Sequence, residues 1–165
     1  MKNKSVLFGS IAGIVTIAFF IVVYLIDKPL VFSPWIAYSP ILLYIAAMYL
    51  AGVNTREAVD GPFPWRDALK VAFLTYLVAN GWFYLFYYIG HQVDPSLAEL
   101  QKEIMREALP QYTEPAKLPE AYKQLDEQSF QPSLGQTILG WAQGAILGFG
   151  LAALVALLTR RDYSS

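Results

Sequence analysis

Residues 5–26 read SVLFGSIAGIVTIAFFIVVYLI, an uncharged run whose nature decides the fold. At about 1.5 Å of rise per residue, a helix over this run is about 33 Å long, enough to cross a hydrocarbon core. Lys2 and Lys4 precede it as in the basic region of a signal peptide. The apolar stretch is too long for that role, however, and no small-x-small cleavage site follows. It reads as a retained first membrane span.

Working outward, three further runs have the same character. Residues 36–53 carry Pro40 near their start, where it sets or kinks a helix, and the polar stretch NTREAVDG follows. Residues 68–90 are unusually aromatic, with Trp82, Phe83, Tyr84, Phe86, Tyr87 and Tyr88 close together. Residues 134–158 end at Arg160-Arg161. The chain has 165 residues, of which 56% are hydrophobic and 15% charged. Soluble domains average about 45–50% and about 25%, so the shift toward lipid holds over the whole length. The fold expected is all-α: a single four-helix membrane domain, 1–165, with an amphipathic helical hairpin between helices three and four.

Basic residues orient such a chain, because cytoplasmic flanks are enriched in Lys and Arg. With both termini cytoplasmic, Lys2, Lys4, Arg56, Arg66, Lys70, Arg160 and Arg161 fall inside, and the turn between spans one and two holds only Lys28. Residues 92–133 then lie outside, with Lys102, Arg106, Lys117 and Lys123 set against eight acids. Asp94-Pro95 has the order of a helix start, and Leu97, Leu100, Ile104, Met105 and Ala108 follow at helical spacing up to Pro110. A shorter helix begins near Pro119, with Tyr122, Leu125 and Phe130 as its apolar contacts. The pair forms a hairpin resting on the bundle or on the membrane surface.

Two sets of small residues mark helix-packing faces. Gly140, Gly144 and Gly148 stand four apart and are continued by Ala152 and Ala156, and Gly9 and Gly13 repeat the spacing in span one. Small residues let helices approach closely enough for dispersion contacts to accumulate. The expectation is that spans one and four pack inside the bundle; dimerisation or docking of a partner helix is the alternative. Asn80, the amide near the middle of span three, is expected to hydrogen-bond across helices. The aromatic residues around Tyr84, Tyr87 and Tyr88 suit a membrane interface belt, and otherwise a surface for a lipid, a quinone or another flat apolar molecule.

His91 is the single histidine. Its imidazole invites a catalytic or haem-ligand role, but no second ligand accompanies it, and a solvated or capping histidine at a helix end is the expected state. No Asp, Glu, Lys or Arg falls in the central part of any span, which argues against a pump or a proton-coupled carrier. Cysteine is absent, so thiolate metal sites, disulfides and cysteine nucleophiles are excluded. A net charge of -1 offers no basic surplus for nucleic acid. No cofactor is expected. In the connector GPFPWRDALK, residues 61–70, Phe63, Trp65, Arg66 and Asp67 serve as interfacial anchors and a helix start, or else as a short cytoplasmic docking motif.

The whole chain resembles a bacterial family of short four-span inner-membrane proteins catalogued only as a domain of unknown function. The resemblance lies in Lys2 and Lys4 before a span with Gly9 and Gly13, and in Phe63, Arg66, Asp67 and Ala68 of the connector. The aromatic third span, the proline-broken hairpin and the glycine-rich fourth span complete it. It implies a bacterial inner-membrane location and carries over no activity, cofactor or catalytic residue. The function expected is non-catalytic: an accessory or scaffolding subunit of an envelope complex, in contact with the bilayer and with a membrane-protein partner or a second copy. One alternative is a transport or lipid-handling protein whose hairpin lids a cavity lined by Asn80, Tyr84, Tyr87 and Gln143. A second is an enzyme using His91 with Asp94 or Glu99.

Overall fold

The computed structural model describes residues 2–161. Helix α1 spans Lys2–Ile26. A short 3₁₀ turn, Lys28–Phe32, leads into α2, Pro34–Tyr38, and α3, Pro40–Glu57. The long α4, Trp65–Val93, is followed by α5, Ser96–Tyr112. A 3₁₀ turn at Pro115–Lys117 precedes α6, Leu118–Glu127, and α7 closes the fold over Leu134–Thr159. Four stretches are long and apolar enough to cross a membrane: Asn3–Ile26, Pro34–Glu57, Trp65–Val93 and Leu134–Thr159. The all-α, four-span architecture is the one the sequence predicts.

The prolines give one agreement, at Pro40, which sets the start of α3, and one difference, at Pro110. The second span is divided at Ser39-Pro40, where proline lacks the N–H that would continue the ladder and Ser39 Oγ donates to Ile36 O at 2.8 Å. Helix α5 runs through Pro110 to Tyr112 instead of stopping at the proline. The missing donor falls near the helix's last turn, where it breaks little of the ladder behind it. Helix α7 opens on a capping box: Ser133 Oγ accepts from Gln136 N, and Gln136 Oε1 accepts from Ser133 N.

Helix α4 is the hub. It packs on α1, α3 and α7, and α3 in turn touches α1 and α7. The core is built from small residues around two large rings: Ala12, Ala47, Ala72, Ala79 and Ala152 surround Tyr44 and Tyr76, whose rings meet edge-on at 5.7 Å. The small-residue faces of α1 and α7 are both filled by α4. A Cβ on Gly9 would lie 2.6 Å from Thr75 O, and one on Gly140 would lie 2.8 Å from the Tyr84 ring. On Gly144 it would lie 2.8 Å from Asn80 Nδ2, and on Gly148 it would overlap the Tyr76 ring. Gly13 receives Trp82 in the same manner. Spans one and four thus pack inside the bundle through two separate pairings with α4, because the bulky residues of α4 need the recesses that glycine leaves.

Hydrogen bonds reinforce these contacts. Tyr76 OH donates to Gly144 O at 3.0 Å and Trp141 Nε1 to Leu77 O at 3.2 Å. Ser5 Oγ donates to Val71 O at 3.1 Å, joining α1 to α4. Buried Thr16, Thr55, Thr75 and Thr159 each donate to the carbonyl four residues back, which pairs their hydroxyls within their own helices. The outer faces are apolar: Leu25, Leu42, Ile146 and Leu158 are exposed, as a lipid-facing surface requires.

At the end of the bundle holding the α3–α4 connector, Phe63 is buried among Ala51, Ala68, Val71 and Ala156. Its backbone pairs with Arg161 in both directions at 2.8 Å. The Arg161 guanidinium donates to Val59 O at 2.6 Å and to Gly61 O. Gly61 adopts φ +114°, a conformation that side chains disfavour and that aims its carbonyl at Arg161.

Gly148→Ala should destabilise the protein by about 1–3 kcal/mol through overpacking against Tyr76. Gly150→Ala, whose Cβ meets nothing within 4 Å, should be neutral or slightly stabilising. Phe63→Ala should cost about 3–5 kcal/mol by leaving a cavity. Reversible unfolding in mixed micelles reads all three.

Candidate functional site

Helices α1 and α4 run parallel, so their C-terminal ends meet at the end of the bundle where the Lys28–Phe32 turn, α2 and α5 also gather. Between them lies a cavity of about 480 Å³, within the range typical of small-molecule sites. Phe20, Phe83, Phe86 and Phe32 supply most of its aromatic wall, and Leu97 and Gln101 of α5 lie across it.

 Leu25 at 75% and Val93 at 78% are among the most exposed apolar residues of the bundle, so the mouth of the cavity is apolar, whereas Leu97, at 7%, is a buried part of the lining.

A polar strap crosses one side. Asp94, immediately after α4, accepts from Lys28 Nζ at 2.7 Å and from Tyr24 OH at 2.6 Å through Oδ2. Its Oδ1 accepts from Ser96 Oγ at 2.5 Å and from Ser96 N at 3.1 Å, which starts α5. One carboxylate thus ties α1, the turn after it and α5 together. Lys28, Ser96 and Tyr24, in that order, hold the Asp94 carboxyl well below the usual carboxylate range, and Asp94 in turn raises Lys28 above the usual lysine value. A second link is Tyr87 OH to Gln101 Oε1 at 3.2 Å, from α4 to α5.

His91 lies within this lining and is 2% exposed. The expectation of a solvated or capping histidine is corrected here. The backbone carbonyl of His91 accepts from Gln131 Nε2 at 2.9 Å, Gln92 Nε2 donates to Pro132 O, and Phe32 stands edge-on to the imidazole at 6.3 Å. These distant segments fold over the end of α4 and exclude water from it. Nδ1 lies 2.9 Å from Tyr87 O, and Nε2 has no hydrogen-bond partner among the described residues.

The other residues expected around a cavity are dispersed. Tyr87 lines it, but Asn80 and Tyr84 face Gly144 and Gly140 in the α4–α7 contact, and Gln143 is exposed on the outer side of α7. Asn80 Nδ2 has no partner among the described residues, so the expected bond across helices is made instead by Tyr76 and Trp141. Asp94 belongs to the strap, and Glu99 is absent from the lining. In the connector, Phe63 is 1% exposed and unavailable for docking. Trp65 Nε1 donates to Ala153 O, Asp67 pairs with Lys70 at 2.9 Å, and Arg66 is exposed.

Tyr24, Lys28, Phe32 and Gln101 were not among the residues expected at the site. The available signal was charge: Lys28 is the cation of the short turn after span one, and Asp94 is the first acid after span three. Among the described residues, no three of His, Cys, Asp and Glu gather as metal ligands.

The fold defines an α-helical protein with four candidate membrane spans, set in a lipid bilayer, with a cavity at one end of its bundle. The chain belongs to the DUF4199 family, described as proteins of unknown function, which matches residues 7–161. No curated protein and no solved structure matches it.

Asp94→Asn should loosen the strap, seen as faster amide exchange over residues 28–33 and the first turn of α5. For the native protein the lowered Asp94 value means that its contribution is present above the unfolded carboxylate range and is lost as pH falls through the folded value. The raised Lys28 value means that its contribution is present below the unfolded lysine range and is lost as pH rises through the folded value. Protection of these amides, measured against their intrinsic exchange rates, should therefore stay constant from mildly acidic to mildly alkaline pH.

Proposed function

We propose that this chain is a protein of the bacterial inner membrane, with both termini cytoplasmic, that holds an apolar or amphiphilic small molecule without transforming it. The observation that carries the reading is the cavity of about 480 Å³ enclosed by α1, α4, α5 and the Lys28–Phe32 turn. Its aromatic wall offers dispersion and desolvation energy to an apolar body. Its mouth, at Leu25 and Val93, is itself apolar, so a molecule dissolved in lipid enters without crossing water. The scaffolding role expected from the sequence leaned in part on the small-residue face of α7, and α4 occupies that face. Hydrolytic or acyl-transfer chemistry would need a nucleophile beside a base, and the lining supplies no serine, threonine or cysteine to His91.

Two experiments test the reading. In nanodiscs, the neutral fluorophore N-phenyl-1-naphthylamine should bind saturably to the native protein. Gly90→Leu should abolish that binding by filling the cavity, since Gly90 lines it and a Cβ there meets nothing within 4 Å. Equal binding by both proteins would exclude the cavity as the site. For orientation, the chain's lack of cysteine makes any introduced thiol unique. A membrane-impermeant maleimide should label Lys117→Cys on intact spheroplasts and Asp60→Cys only after lysis; the reverse pattern would invert the topology.

A further inference from the structure

We propose that the head of the occupant carries a hydroxyl group seated on His91 Nε2, with its apolar body laid along Phe83 and Phe20; this rests on the cavity being a binding site. Each of the other polar side chains of the lining, Tyr24, Tyr87, Asp94 and Gln101, has a hydrogen-bond partner. Asp94 is occupied by Lys28, Tyr24 and Ser96, and Tyr87 OH is occupied by Gln101. His91 Nε2 is the exception: a buried polar atom with no partner among the described residues. Leaving such a group unpaired is costly, so an occupant that satisfies it gains what an apolar one cannot.

The chemistry of the head follows from the ring's other nitrogen. Tyr87 O only accepts, so His91 Nδ1 at 2.9 Å must carry the hydrogen, and in the neutral ring Nε2 bears the lone pair. The site therefore calls for a donor. An anionic head is disfavoured, because it would lack a donor hydrogen and would sit beside the Asp94 carboxylate, whose compensating Lys28 is already engaged. An amide would bring a carbonyl and a second N–H into a mostly apolar lining. A hydroxyl satisfies one acceptor with the least left over.

The body of the occupant is set by a run of rings. His91 and Tyr87 stand 4.2 Å apart, Tyr87 and Phe83 6.4 Å, and Phe83 and Phe20 5.4 Å. From His91 back to Phe83 along α4 is about 12 Å at the helical rise. An alkylated phenol or a long-chain alcohol matches both the head and this wall.

The test uses the full chain in nanodiscs, with 4-nonylphenol and its methyl ether as probes of equal body and different head. The phenol should bind on the order of tenfold more tightly than the ether, the ratio expected for one buried hydrogen bond. His91→Phe should remove that preference, so that the phenol and the ether bind alike. Because His91 is the single histidine, ¹⁵N-histidine labelling gives one side-chain spectrum. Its Nε2 resonance should be that of an unprotonated nitrogen and should move on addition of the phenol but not of the ether. This measurement needs no variant and decides the matter if His91→Phe fails to fold. Equal binding of both probes to the native protein, a preference that survives in His91→Phe, or an unmoved Nε2 resonance would overturn the hydroxyl assignment while leaving the cavity as a site. Saturable binding of neither probe would overturn both.

Discussion

The fit of α4's large side chains into the glycine recesses of α1 and α7 is the contact on which the rest of the bundle depends. In lipid, helices gain little from hiding apolar surface, because the surrounding chains are as apolar as the side chains. Association must come from close packing and from hydrogen bonds that lipid cannot offer. Tyr76 does both: its ring fills the space over Gly148, and its hydroxyl donates to Gly144 O. Tyr84 over Gly140 and Trp82 over Gly13 extend the same principle along α4 in both directions around its circumference.

With α4 gripped on two sides, its C-terminal end is held at a fixed place beside the end of α1. That positions Asp94 to meet both Tyr24 and Lys28, and α5 begins from the same carboxylate. The cavity is the space left where the parallel ends of α1 and α4 are bridged by a turn and a helix instead of being filled by a further span. Packing deep in the bundle and the shape of the cavity at its end are thus parts of one arrangement.

Much of the architecture was legible because length and absence of charge are one-dimensional properties. The four spans and the hairpin helices follow from runs of apolar residues, prolines and caps. Helix partnering was less legible: a row of glycines says that something large comes close, and only the folded chain says that Tyr76, Asn80 and Tyr84 of α4 are what comes close. His91 shows the same limit at the site. Its position near the end of a span predicts contact with water, but its burial is produced by Phe32 and by the Gln131–Pro132 segment, which are remote in sequence. The expected cavity residues were chosen for polarity along one helix. The actual lining draws on α1, α2, α4, α5 and the intervening turn, and most of it is hydrocarbon.

The pairing of Phe63 with Arg161 bears on how the chain is assembled during its synthesis. Helix α7 is translated after everything it packs against, so until it arrives the faces of Tyr76, Asn80 and Tyr84 are open to lipid. In the folded chain the glycines of α7 lie over those side chains, and Arg161, just beyond its C-terminal end, donates to the carbonyls of Val59 and Gly61. The connector made before α4 thereby becomes the latch for the last span, and an incompletely inserted α7 leaves Phe63 without the backbone partner that its position requires.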